Sequence, residues 1–197
     1  MSGSGQTAAD LVSRGARVTG LDISPELVTR FQRQLPEAVA VQGSILESGL
    51  PDASFDAVFV TSGLHHVQPH ADQAIDEVHR ILRPGGYFCF WEPHAGSLAN
   101  LARKVWYRLD PLFEANEAAV DVERIERQNR HRFDFEYKLF YGGPAFLLVY
   151  NSLVFRVPPG LKRLYSPMLL SLEPLIEKLQ SKRLSCVAAA RWRKKAG

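Results

Sequence analysis

The chain has 197 residues, 46% hydrophobic and 23% charged, the proportions of an ordinary globular protein long enough to bury a core. Its two distant cysteines, Cys89 and Cys186, exclude a disulfide framework or a cysteine zinc pattern and suit a reducing, cytoplasmic setting. The net charge of +3 is uneven, with 6 Lys/Arg against 11 Asp/Glu in residues 1–96 and 18 against 10 in residues 97–197; no basic–aromatic interleaving supports nucleic-acid binding, so the basic half reads as a solvated face.

The N-terminus lacks the charged and apolar regions of a signal peptide. It opens on the glycine turn Gly3-Ser4-Gly5, ahead of a helix. "ARVTGLDI" is β-branched and reads as a strand. In "SPELVTRFQRQL" Ser24 is an N-cap, Pro25 takes the first helical position, and Glu26 suits the positive helix end. Leu27, Phe31 and Leu35 form its apolar stripe. "EAVAVQG" and "SFDAVFVTSG" are the next strands, with Asp56 a turn residue at the start of the second. Ala71, Ala74, Ile75, Val78, Ile81 and Leu82 recur at helical spacing. That helix stops at "RPGG", before the buried strand "YFCFWEP". Strands alternating with helices predict a parallel sheet covered on both faces.

The second half changes character. Leu98, Leu101, Ala102, Val105 and Leu109 mark a helix that Pro111 ends. "VDVERIERQN" is a polar amphipathic helix. "RFDFEYKLF" alternates like a half-buried strand. Residues 144–181 read as helical, with a stripe of Leu161, Leu164, Tyr165, Met168, Leu169, Leu172, Leu175, Ile176 and Leu179; Pro167 and Pro174 should start or kink it. This stretch is a cap-like insertion, either facing a hydrophobic or lipid-linked acceptor or packing on the sheet, the safer assumption. The stretch "FLLVYNSLVF" is too short to span a bilayer. "RLSCVAAARW" is a closing strand, and the final Arg-Trp-Arg-Lys-Lys reads as a frayed tail. Trp91, Trp106 and the tyrosines read as core.

The turn at Gly3 and Gly5, with Asp22 at the end of the next strand, suits a nucleoside cofactor. Glycines let backbone approach a ligand, helix N–H groups meet negative charge, and a carboxylate accepts ribose hydroxyls. The same "GxGxxA" pattern also fits a dinucleotide, so these residues alone leave both cofactors open.

The succession "TGLDISPELV", "SFDAVFVTSGLHHV", "ILRPGGYF" and "FWEP" resembles class I methyltransferases of the small-molecule type, over roughly residues 3 to 93. The resemblance implies a Rossmann-like α/β fold in one domain, with a cofactor-binding half at 1–96 and helical insertions and closing strands at 97–197. It implies S-adenosylmethionine as cofactor and a small-molecule acceptor. Gly3 and Gly5 match the cofactor's glycine loop, Asp22 the ribose-binding acid, and Ile23 the adenosine edge. Ser44 and Ile45 match the adenine loop, although this chain has "GSI" where the family often has "GDA". Thr61, Ser62 and Gly63 match a segment lining the cleft. His65 and His66 match the cleft edge; one of them is a candidate base, the alternative being a histidine that packs and bonds locally at a helix start. Glu92 either contacts substrate or caps a neighbouring segment.

The departure is at the start. The first glycine, the acidic residue before it and the first strand, central in this sheet, are missing. The gap should close by re-pairing or be filled by another segment, because a buried unpaired backbone group costs about 1–3 kcal/mol. Late assignment of the start or truncation is one explanation. Two other functional classes stay open: a methyltransferase-fold binding protein without catalysis, and an NAD(P)-dependent oxidoreductase.

Overall fold

A computed structural model describes residues 2–3, 5–109, 117–150, 157–179 and 181–196. Pro111, residues 151–156 and the side chains of Ala102, Trp106, Leu109 and Leu179 lie outside the described residues.

The first unit is small. Gly5 caps α1 (Gln6–Ser13) with φ +92°, a left-handed conformation that favours glycine. A Cβ there would meet Leu35 and Phe31 at 3.0 Å, so position 5 is also closed sterically. β1 (Thr19–Asp22) leads to α2 (Pro25–Gln34), where the Ser24 hydroxyl accepts the Leu27 N–H at 3.3 Å. β2 (Val39–Gln42) pairs with β1 in parallel. Ala8, Phe31, Leu35 and Ala38 form the core of this unit, with the Phe31 ring fully buried.

The second unit carries most of the protein. Its sheet has the order β3–β4–β6–β5. β3 (Phe55–Thr61) and β4 (Leu82–Pro93) are parallel; β6 (Val187–Lys194) runs antiparallel to β4 and to β5 (Phe133–Tyr141). α3 (Ala71–Ile81) buries Ala71, Ala74, Ile75, Val78 and Ile81. Leu82 already belongs to β4, so the helix ends ahead of the Pro-Gly pair. α4 (Ala99–Leu109) and α5 (Val122–Asn129) come next; the Asp121 side chain caps α5 by accepting the Arg124 N–H at 2.9 Å. A π-helical turn (Phe146–Tyr150) precedes α6 (Pro159–Leu179), which runs through Pro167 and Pro174. No described helix is long and apolar enough to cross a membrane.

Three expectations change. The closing basic segment is no tail. It forms the end of β6, where Trp192 is fully buried against Phe88 and Phe90 while Arg191 and Arg193 point outward. Strand alternation sends the tryptophan inward and the arginines to solvent. The apolar stripes of α4 and α6 do not pack on the sheet: Leu98, Leu101, Val105, Leu161, Leu164, Met168, Leu172 and Leu175 are exposed. Nor are all tyrosines core, since Tyr137 and Tyr150 are more than half exposed.

The gap predicted between β1 and β3 is present, and it has neither closed nor been filled by any described segment. Among the described residues β1 pairs only with β2, and β3 only with β4. Between them lies a cavity of about 650 Å³ lined by Thr19, Gly20 and Leu21 on one side and Phe55 to Thr61 on the other. Ser2 N–H donates to Leu21 O at 2.8 Å, covering part of the β1 edge. Two separate hydrophobic cores therefore hold the two sheets.

These contacts set two expected outcomes. A Cβ at Gly20 would lie 2.5 Å from the Phe31 ring. Gly20→Ala should therefore overpack the small core and lower stability by about 1–3 kcal/mol in urea unfolding. Stability should also fall with acid in two windows. Burial, reinforced by Lys194 and Arg132, pushes His79 down to about 4. The unfolded chain then binds the extra proton first, so stability drops as pH falls from about 6.5 to 4. The hydrogen bond from Arg80 holds Glu77 down at about 2, against the burial that raises it. Its contribution is present above about 4.5 and is lost toward pH 2. His79→Gln should flatten the upper window of a urea-midpoint-against-pH curve and leave the lower one.

Candidate active site

Of the expected residues only Ile45 and Thr61 line this cavity; Gly3, Asp22 and Ile23 belong to the small unit, and Ser62, Gly63, His65 and His66 to the large one. On the small unit, Asp22 ends β1 and is 5% exposed. Its Oδ2 accepts the Gly3 N–H at 2.9 Å and its Oδ1 the Ser24 N–H at 3.1 Å. Burial raises this carboxyl, but hydrogen bonds, those from Ser24 and Gly3 among them, outweigh burial and hold it below the ordinary aspartate range. Gly3 has φ +53° and open space where a Cβ would stand. Ile23, directly after Asp22, is 71% exposed, an apolar side chain presented to solvent at the strand end. The Ser44 hydroxyl accepts the Leu46 N–H at 3.2 Å. Ile45 is buried in the larger core and also lines the cavity.

On the large unit, Thr61 ends β3. Ser62 turns the chain with φ +52°, and its N–H donates to Trp91 O at 2.9 Å. Gly63 then leads into a single 3₁₀ turn, Leu64–Val67. The start of that turn is held from the neighbouring strand. Glu92, fully buried near the end of β4, accepts the N–H groups of Gly63 at 2.7 Å, Leu64 at 2.8 Å and His65 at 3.3 Å. Glu92 therefore caps the 3₁₀ turn. Its Oε2 also lies 2.8 Å from His65 Nδ1. A carboxylate has only acceptors to offer, so Nδ1 carries a hydrogen, and in the neutral ring Nε2 keeps the lone pair. His65 is 8% exposed, whereas the His66 side chain is 52% exposed and its Nδ1 lies 3.0 Å from Glu117 Oε1.

Sequence reasoning singled out His65, His66 and Glu92 separately; the fold joins them. It missed Glu117, which lies 51 residues beyond His66 in sequence and in no motif. It also missed His94, 3% exposed just after β4, with neither ring nitrogen hydrogen-bonded among the described residues. Burial pushes its pKa down.

Residues 2–90 match the family described as methyltransferase domain. That stretch, a little under half of the chain, carries the family's sequence pattern. The chain is 38% identical over 96 residues to an uncharacterized methyltransferase of Synechocystis, covering 48% of this chain and 45% of that protein. It is 37% identical over 84 residues to the demethylmenaquinone methyltransferase of Beutenbergia cavernae, covering 43% and 35%. The chain thus spans less than half the length of these curated relatives. Solved structures share the fold more completely. An S-adenosylmethionine-dependent methyltransferase of Mesorhizobium loti superposes with TM-score 0.67 at 20% identity, covering 98% of this chain and 87% of that one. The cyclase SpnF superposes with TM-score 0.69 at 19% identity, covering 100% and 74%. The architecture is therefore the Rossmann-like fold of these methyltransferases.

Within the methyltransferase domain, the nucleoside half of an S-adenosylmethionine site fits the residues present. The Asp22 carboxylate is fixed at the strand end by two backbone donors, Ile23 offers exposed apolar surface beside it, and nothing crowds Gly3. The decisive internal contact is Glu92. Glu92→Ala should strand three buried N–H groups and lower stability by about 3 kcal/mol or more in chemical unfolding. His66→Ala, with its side chain half exposed, should cost under about 1 kcal/mol.

Proposed function

We propose that this chain binds S-adenosylmethionine and directs its methyl group to an oxygen or nitrogen of a small, hydrophobic acceptor. The observation that carries this reading is the Asp22 carboxylate, held by Gly3 and Ser24 at the end of β1 beside exposed Ile23, within a methyltransferase domain. When bound, the cofactor supplies an electrophilic methyl on a sulfonium. Gly3, Gly5, Asp22, Ile23, Ser44 and the backbone of Ile45 form the holding side. Thr61, Ser62 and Gly63 form the facing wall.

His65 is the base in this reading. Glu92 takes the Nδ1 hydrogen, which orients the ring and leaves Nε2 to accept a proton from an acceptor hydroxyl or amine. His66, more exposed, helps shape the entrance. Much of the remaining rate comes from alignment, which the capped 3₁₀ turn supplies through its fixed backbone. The exposed apolar faces of α4 and α6 support a hydrophobic acceptor. The curated relatives include a demethylmenaquinone methyltransferase and a malonyl-acyl-carrier-protein O-methyltransferase, two different acceptors by name.

Calorimetry with S-adenosylhomocysteine tests the reading. Saturable one-to-one binding is expected, weakened at least tenfold in Asp22→Ala, as the loss of about 1.5–3 kcal/mol of charged hydrogen bonding predicts. Absence of binding by the intact chain favours the second reading, a methyltransferase-fold binding protein, for which the open cavity between the two sheets is the supporting observation. Fluorescence quenching by NADH but not by S-adenosylhomocysteine would instead favour an oxidoreductase.

A further inference from the structure

At the 3₁₀ turn, one ring nitrogen of His65, one of His66 and one carboxylate oxygen of Glu117 all lie within 4.8 Å of one another. We propose that these three side chains form a site for a divalent transition metal of zinc-like chemistry. Two imidazoles and a carboxylate are a donor set zinc accepts, and three protein ligands leave a fourth position open. That open position suits a water or an acceptor oxygen.

Three features make the cluster more than a chance meeting. His65 and His66 are adjacent in sequence, yet their ring centroids are 3.9 Å apart on the 3₁₀ turn. The backbone of that turn is fixed by Glu92, whose carboxylate on His65 Nδ1 also leaves one ring nitrogen with a lone pair. This is the outer carboxylate that metal-ligating histidines commonly carry. Glu117 comes from a distant segment but is equally held. Ala118 N–H donates to His65 O at 3.1 Å and Val120 N–H to Pro93 O at 2.8 Å, which pins that segment to both the turn and β4. The Glu117 side chain is only 10% exposed and points at His66. Closing the three donors onto one ion needs a small inward shift, which the half-exposed His66 ring has room to make. Magnesium, which demands oxygen ligands in octahedral array, does not suit this set.

The ion would take the His65 Nε2 lone pair, so ligand and base are alternative roles of that nitrogen, and a metal-loaded His65 would not act as the base; the readout here is metal binding alone. The metal-free intact chain is titrated with Zn²⁺ by calorimetry and with Co²⁺ by visible absorption, with Mg²⁺ as a control. One equivalent of Zn²⁺ should bind, Co²⁺ should give the intense d–d bands of a tetrahedral site, and Mg²⁺ should give no heat. His66→Asn and Glu117→Gln should each lower Zn²⁺ affinity by more than the roughly 10–100-fold that loss of an outer partner costs. Circular-dichroism melting confirms that both variants remain folded, and S-adenosylhomocysteine binding is measured alongside as a separate quantity. Absence of one-to-one binding in the unaltered chain overturns the proposal. So does binding that both folded variants retain at full strength, which would place the ion on other groups.

Discussion

The Glu92 carboxylate is the fixed point on which the candidate site depends. It is fully buried, and it is surrounded by donors: three consecutive backbone N–H groups and one imidazole nitrogen. A buried carboxyl without partners is strongly unfavourable, so the chain around it has little freedom. The 3₁₀ turn must begin at Leu64, and the His65 ring must lie against Oε2. The same device recurs ahead of the π-helical turn. Glu173 of α6, 9% exposed, accepts the N–H groups of Gly143, Ala145 and Phe146 at 2.7, 3.0 and 3.4 Å, fixing the entry to the π-helical turn. In both places a carboxylate from a distant element substitutes for the local Ser or Asp cap that short helices usually carry.

This explains what could be read from sequence and what could not. Ser24-Pro25-Glu26 signals its helix locally, and the Ser24 hydroxyl does cap it. The stripe of α3 recurs at helical spacing because its core neighbours are fixed by period alone. Asp22 is legible from its position at a strand end. Glu92 stood open between a contact and a cap, because its donors lie 27 to 29 residues earlier and no spacing rule links them. Glu117 and His94 were invisible for the same reason.

The second half was harder. Stripes on α4 and α6 have the period of buried faces but stay exposed. Period reports which residues share a face, and says nothing of what covers it. The basic ending misled in the opposite direction. Charge suggested solvent, whereas alternation around Trp192 decides the matter, because burying that one ring against four phenylalanines outweighs keeping three cations on the same strand in water. The arginines lose little, since they remain on the outward face.

The division of the sheet has a consequence for the site as a whole. The candidate residues Gly3, Asp22 and Ile23 belong to a unit whose core, among the described residues, is four buried residues, whereas Thr61, Ser62, Gly63, His65 and Glu92 belong to a unit with a core of sixteen. The two strands nearest each other, β1 and β3, share no ladder, and a cavity of about 650 Å³ separates them. Backbone pairing is what usually makes two strand ends act as one rigid edge. Here no ladder among the described residues supplies that coupling. A ligand that touched both Asp22 and the Gly63 turn would therefore gain affinity only after paying for alignment of the two units. The same ligand would stabilise the smaller unit most, because that unit has the least burial of its own to lose.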